Sequence, residues 1–388
     1  MRRTLIFLSM LMLGGCGITR WIEGGKSNAI PPSPLVHFKP TIKIHRLWSV
    51  DTGSGAGGKY LTLTLATDGR TLFVADDKGH VGAYAETSGK RLWRDNVKAR
   101  VTGATGYGAG MVVVGTLKGR VIALDAATGK RRWIAHVSSE VLAPPAVTTG
   151  MVLVQTIDGK LTALSEKDGS VLWVDHHTLP SLMLYASSRP LIDGNRVISG
   201  FANGIVYATD LANGAPVWRT RIARPRGNDE IKRLVDVDAW PLISAGVVYD
   251  ASYEGNAVAL SARSGRILWS VPVSTYRNLA LGTRHVFVSD ARGEVIAFDR
   301  ASGLVAWKQT ALTGRRISGP CVIGNEVAVG DYAGYVHWLS RATGTFVARD
   351  RVGKSGIRAQ PLAMHQGGKL VLFVLNQHGR LTALSPSS

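Results

Sequence analysis

The chain has 388 residues and a formal charge of +19, from 46 Lys and Arg against 27 Asp and Glu. With 45 glycines, 19% charged residues and only two cysteines, its composition fits neither a helical bundle nor a disordered chain, and it can build no disulfide framework or multi-cysteine metal site. The basic residues are scattered, with no run of five or six, which points away from nucleic acid and towards a soluble basic surface.

The first element is a leader. Arg2 and Arg3 precede an apolar run from Thr4 to Leu13, and Gly14-Gly15 follow, the order of a basic region, a hydrophobic region and small residues before a cleavage point. The run is too short to cross a hydrocarbon core of ~30 Å. Removing residues 1–15 takes Arg2 and Arg3 away and leaves +17. Leu13-Gly14-Gly15-Cys16 resembles the lipobox of bacterial lipoproteins. The resemblance implies lipidation at Cys16, a firm anchor since each buried CH₂ contributes ~0.8 kcal/mol. Gly17, where Asp would retain the protein in the inner membrane, implies export to the outer membrane. Residues 16–43, with Gly24-Gly25 and Pro31-Pro32-Ser33-Pro34, carry no apolar period and read as the lipidated cysteine and a flexible tether.

From residue 77 a repeat sets in. It runs through 77–93, 117–133, 157–173, 202–218, 253–269 and 291–307. A seventh copy, 332–348, has Ala348 where Trp is expected, and an eighth begins at Gln377 and ends with the chain. In every complete copy a second glycine lies ten residues after the first, and in the first six Trp follows four later. The first glycines (79, 119, 159, 204, 255, 293, 334 and 379) sit where a hairpin turn needs φ > 0. Alternating runs such as Val121-Ile122-Ala123-Leu124 are strands, and Pro145, Pro190, Pro241, Pro320 and Pro361 open short strands, where Pro is tolerated. The tryptophans are expected to dock between neighbouring units.

Each unit is therefore four strands in about 40–45 residues, the size of a propeller blade. The expected fold is all-β: an eight-bladed β-propeller of four-stranded antiparallel blades over residues 44–388. The eighth copy lacks a fourth strand, and Ile44–Val50, with its own Trp48, is a fourth strand without a blade. Pairing the two closes the ring and removes the free edges.

The motif Ala-Leu-Asp-x-x-x-Gly-x-x-x-Trp, as in residues 123–133, resembles the repeat of the quinoprotein (PQQ) dehydrogenases and equally that of the BamB family, propeller lipoproteins of the outer-membrane β-barrel assembly machinery. Repeats alone do not separate the two. The lipobox and the length favour the BamB family. The dehydrogenases are usually longer, carry PQQ with Ca²⁺ and a catalytic Asp, and many have an adjacent disulfide that this chain cannot form. The BamB resemblance implies a non-enzymatic scaffold without cofactor, lipid-anchored on the periplasmic face of the outer membrane. Its partners would be the POTRA domains of BamA, other subunits of the assembly complex and unfolded outer-membrane proteins. The alternatives are a PQQ-dependent dehydrogenase and a periplasmic polymer-binding propeller.

Spacing singles out two connections. Twelve residues separate Trp133 from Pro145 and thirteen separate Trp307 from Pro320, against 17 for Trp173–Pro190 and 23 for Trp218–Pro241. Both long connections join the last strand of one blade to the first of the next, so they belong on one face, side by side, where function concentrates on a rigid scaffold. The extra residues include 179–185 and 230–238. By resemblance to the BamB partner-binding loops, Leu182, Leu184, Arg233, Leu234, Asp236 and Asp238 are the partner-binding candidates, the leucines at the centre of the contact and the charges at its rim. Tyr185 departs from the Arg that the family often has after the second leucine. The residues also admit a plainer reading: strand packing for the leucines, turn chemistry for the aspartates. His176-His177 is an unpromising metal pair, and Cys321, after Pro320, reads as a buried inert thiol.

Overall fold

The computed structural model describes residues 30–226 and 233–387. The strands form eight separate four-stranded sheets, each an antiparallel meander from the axis outwards. The first seven blades occupy residues 66–96, 101–136, 146–176, 191–221, 242–273, 280–309 and 321–351. The eighth takes three strands from 362–387 and its outer strand from Lys43–Asp51. That strand runs antiparallel to Arg380–Ser387, from Lys43 opposite Ser387 to Asp51 opposite Arg380, so the ring closes through the N-terminal strand as the repeat count requires. The innermost strands of five blades begin directly after Pro145, Pro190, Pro241, Pro320 and Pro361.

The tryptophans explain the repeat. Trp93, Trp133, Trp173, Trp218, Trp269 and Trp307 each face an alanine across the ladder: Ala83, Ala123, Ala163, Ala208, Ala259 and Ala297. Trp48 faces Ala383 in the closing pair. In each case a bulge adjoins this pair, which bends the outer strand and aims the ring at the next blade. There it lies on the second glycine of the motif. A Cβ on Gly214, at φ +76, would stand 2.8 Å from the Trp173 ring, and Gly89, Gly129, Gly169, Gly265, Gly303 and Gly344 meet their tryptophans in the same way. Each indole N–H donates to a carbonyl of the same turn, as from Trp133 to Glu166 O at 2.7 Å and Trp269 to Arg300 O at 2.8 Å. One aromatic buries roughly 150–250 Å², which at about 25 cal/mol per Å² is on the order of 4–6 kcal/mol per seam before entropy is charged against it.

Two expectations are corrected. Seven of the first glycines take positive φ, but Gly255 does not; Glu254 does, at φ +45. Glycine is still required at 255, because a Cβ there would press to 2.1 Å from Ser252 Oγ and 2.5 Å from the Ala223 methyl.

The second correction is that residues 30–42 are not tether. They lie as a strap along the outer strand of blade 7, Phe346–Arg351. Thr41 N–H donates to Val347 O at 2.9 Å, Phe38 stacks on Phe346 with centroids 5.3 Å apart, and Ser33 N–H donates to Thr313 O at 2.9 Å. A buried network holds the strap from below. Arg315 donates from Nε and Nη2 to Asp331 Oδ2 at 2.9 and 2.6 Å, and from Nη1 to Ser33 O at 2.9 Å. Arg349 donates to His337 Nδ1 at 3.2 Å and to Val36 O at 3.0 Å, while His337 Nε2 lies 2.9 Å from Asp331 Oδ2. Burial alone would raise the Asp331 carboxyl; hydrogen bonds from His337 and Arg315 outweigh it and hold the group below its usual range. Burial keeps His337 below its ordinary value despite Asp331. Composition did not reveal this, since the contacts are to residues ~300 positions away in sequence.

Candidate functional site

The connections from the fourth strand of one blade to the first of the next emerge on one face of the disc, together with the turns of the first glycines. The two long ones, 177–190 and 222–241, are neighbours there. Leu184 N–H donates to Asp236 Oδ1 at 3.0 Å, and Ser188 Oγ donates to Ala239 O at 2.8 Å. The face therefore carries one joined patch.

The six partner-binding candidates divide by depth. Leu182 is 39% exposed, Arg233 is exposed, and Leu184 and Leu234 are half-buried. Residues 230–232 lie outside the described residues. Asp236 and Asp238 are not rim charges. Both are buried, within a fully enclosed run from Val235 to Ala239, and Asp236 ties the two loops together through the Leu184 N–H. Burial, opposed by the Leu184 N–H, pushes the Asp236 carboxyl up to about 6. Burial, reinforced by Asp236 and Asp250, drives Asp238 well above the ordinary range, and Asp250 beside them is raised by burial as well. A carboxyl that stays neutral is the physical answer to buried acids that find no ion-pair partner among the described residues.

Tyr185 stands in the position where the family often has Arg. It is 48% exposed and its hydroxyl donates to the Glu140 carboxylate on the preceding connection, so it braces the first loop against its neighbour instead of presenting a charge. His177 is packed inside, its ring 3.8 Å from that of Tyr207 and its Nε2 3.1 Å from Asp175. The Cys321 thiol is buried and pushed up to about 12 by that burial.

Sequence reasoning missed a funnel at the axis. A cavity of about 410 Å³ opens on the same face, lined among others by Leu184, Tyr60, Tyr276, Arg277, Arg316 and Arg358. These residues come from five connections spread over 300 positions, and no local pattern brings them together.

A family model described as outer membrane protein assembly factor BamB matches residues 77–309. An outer membrane protein assembly factor BamB of Pseudomonas aeruginosa is 48% identical over 364 residues, covering 91% of this chain and 96% of the relative. The chain belongs to the BamB family. The crystal structure of BamB from Moraxella catarrhalis superposes with a TM-score of 0.80 at 28% identity, over 88% of this chain and all of that one. A quinohemoprotein alcohol dehydrogenase from Comamonas testosteroni shares the propeller, with a TM-score of 0.70 over 88% of this chain and 76% of that one, but at 16% identity the likeness is one of fold alone.

Proposed function

We propose that the chain is a non-enzymatic scaffold of outer-membrane protein assembly, and that its joined loop patch binds the periplasmic POTRA region of BamA. Membership of a family of assembly factors supports the role. The observation that carries the site is the Leu184–Asp236 hydrogen bond: with the Ser188–Ala239 bond it joins the two loops into one surface, and a preorganised surface loses less entropy on docking. Leu182, Leu184 and Leu234 supply the apolar centre and Arg233 the charge beside it. Asp236 acts from beneath, as a positioning residue, and Asp238 lies buried behind it.

The anchor belongs to the same proposal. The leader 1–15 and Cys16 lie outside the described residues, and lipidation at Cys16 stands on the lipobox. The strap adds a geometric point. It climbs blade 7 from Phe346 to Thr313, which lies in the connection between blades 6 and 7, so residue 30 is on the face of the loop patch. Thirteen residues separate it from Cys16; at most ~3.6 Å each, they allow roughly 45 Å between anchor and propeller. Anchor and partner surface would then face the same way. Purifying BamA from membranes with and without this lipoprotein's 177–190 loop tests the role: the intact chain should co-purify and the loop-deleted one should not. Co-purification of both would refute the site.

A further inference from the structure

The axial funnel is not accounted for by the loop patch. Three arginines line its mouth, and among the described residues no Asp or Glu does. Two of the guanidiniums lie over rings: Arg358 is 4.1 Å from the Tyr60 centroid and Arg277 is 4.7 Å from that of Tyr276. Stacking on a ring occupies the face of a guanidinium and leaves its N–H edge free, and that edge matches the two oxygens of a carboxylate or phosphate. Arg277 Nε is buried and has no hydrogen-bond partner among the described residues. Arg358 is close enough that its charge disfavours that of Arg277, alongside the larger effect of burial. Arg316, whose backbone is held in the left-handed region at φ +49, brings a third cation. Asp238, deeper on the axis, supplies no counter-charge because its carboxyl is held towards the neutral form by burial first and then by Asp236 and Asp250. Like charges gathered with no anion among the described residues are costly, and here they stand around an open cavity.

We propose that the funnel is an oxyanion-binding site that receives the carboxylate side chains of an acidic peptide segment. The shared chemistry would also accept a free phosphate. A peptide is favoured by size and spread: the cavity of about 410 Å³ is within the range of pockets for whole ligands, and its arginines arrive on three separate connections. Arg clusters of this kind are a recurring means of reading acidic motifs. Tyr60, 74% exposed, and Tyr276, 36% exposed, flank the entry and offer apolar edges to the peptide backbone. The inference does not depend on which protein docks on the loop patch.

The test is anisotropy of a fluorescent hexaglutamate peptide titrated with the full-length protein in detergent. Hexaglutamine is the neutral comparison and inorganic phosphate the competitor. The glutamate peptide should bind saturably and phosphate should displace it. Arg277→Gln and Arg358→Gln should each weaken binding by about tenfold or more, since a lost charge-assisted hydrogen bond is worth ~1.5–3 kcal/mol. Arg91→Gln with Arg131→Gln, on outer strands, should change it less than about twofold, which separates the site from the general basic surface. Should Arg277→Gln not fold, Arg316→Gln at the exposed mouth carries the same expectation. Equal binding of hexaglutamine overturns the proposal, as does wild-type affinity in folded Arg358→Gln and Arg316→Gln. Phosphate binding without peptide binding overturns the peptide assignment.

Discussion

Trp338 stands directly across the ladder from Ala348 in blade 7, the reverse of the arrangement in all the other blades, where the inner strand carries Ala and the outer strand Trp. The reason lies in the closure. Each outer-strand Trp docks on the turn between the third and fourth strands of the next blade, and blade 8 has no such turn, because its fourth strand comes from the other end of the chain. A Trp at 348 would have nothing to dock on. The volume moves inward instead: Trp338 is fully buried, packed with Val336, Ile357 and Leu372, and the strap covers the outside. Trp338→Ala should therefore cost ~3–5 kcal/mol in chemical denaturation, and adding Ala348→Trp should not restore it. Recovery in the double variant would contradict the account of the seam.

The glycines of the docking turns lend themselves to a paired comparison. Gly214 and Gly194 both have positive φ, at +76 and +58, but only at Gly214 would a Cβ meet a ring. Both Ala variants bear the backbone strain, ~1–3 kcal/mol at the upper end; Gly214→Ala should lose measurably more, with a shift in tryptophan emission. Equal losses would mean that the turn, and not the Trp173 contact, selects glycine there.

Closure makes a length prediction. Deleting 44–50 removes Trp48 and bares the edge of Arg380–Ser387. The loss should exceed ~3 kcal/mol, the scale of removing one packed Trp, and the variant should be cut by protease near its C-terminus. A deletion variant that melts with the wild type would show that blade 8 stands without its outer strand.

Asp236 gives a pH signature. Its carboxyl is raised to about 6 in the fold against ~3.9 unfolded. The folded state therefore binds the proton more tightly, so this group's contribution to stability is lost as pH rises through about 6 and is recovered on acidification towards 4. The slope is at most roughly 1.4 kcal/mol per pH unit. Measured against Asp236→Asn, wild-type stability should improve between pH 7 and pH 5. Taking the difference cancels groups of opposite sign such as His337. A flat difference would show that Asp236 is already ionised without penalty.

What was legible in the sequence was what repeats locally. Glycine and tryptophan spacing revealed the blades, their number and the closing strand, because each element of that pattern acts within one blade or on the next. The two long loops were legible as departures from the spacing. The burial of Asp236 and Asp238 was not, since a charged residue in a long connection reads as exposed until the neighbouring loop is seen to lie over it. The strap was hidden for the same reason: Pro31 to Phe38 has no period, and its partners, Arg315 and Arg349, are at the far end of the chain. The funnel's arginines are individually unremarkable in a chain with 46 basic residues.

The central claim is that the joined loops are a docking surface, and capture by the BamA periplasmic region tests it most directly. The comparison is between wild type, Leu182→Ala with Leu184→Ala, and Thr128→Ala with Lys130→Ala in an exposed turn on the opposite face. Because the Leu184–Asp236 bond is made by the backbone, the leucine variant should keep its melting temperature. Losing a hot spot costs ~2 kcal/mol or more, roughly a thirtyfold fall in affinity, so the leucine variant should fail to be captured while the turn variant is captured like wild type. Equal capture of the folded leucine variant and wild type would contradict the account.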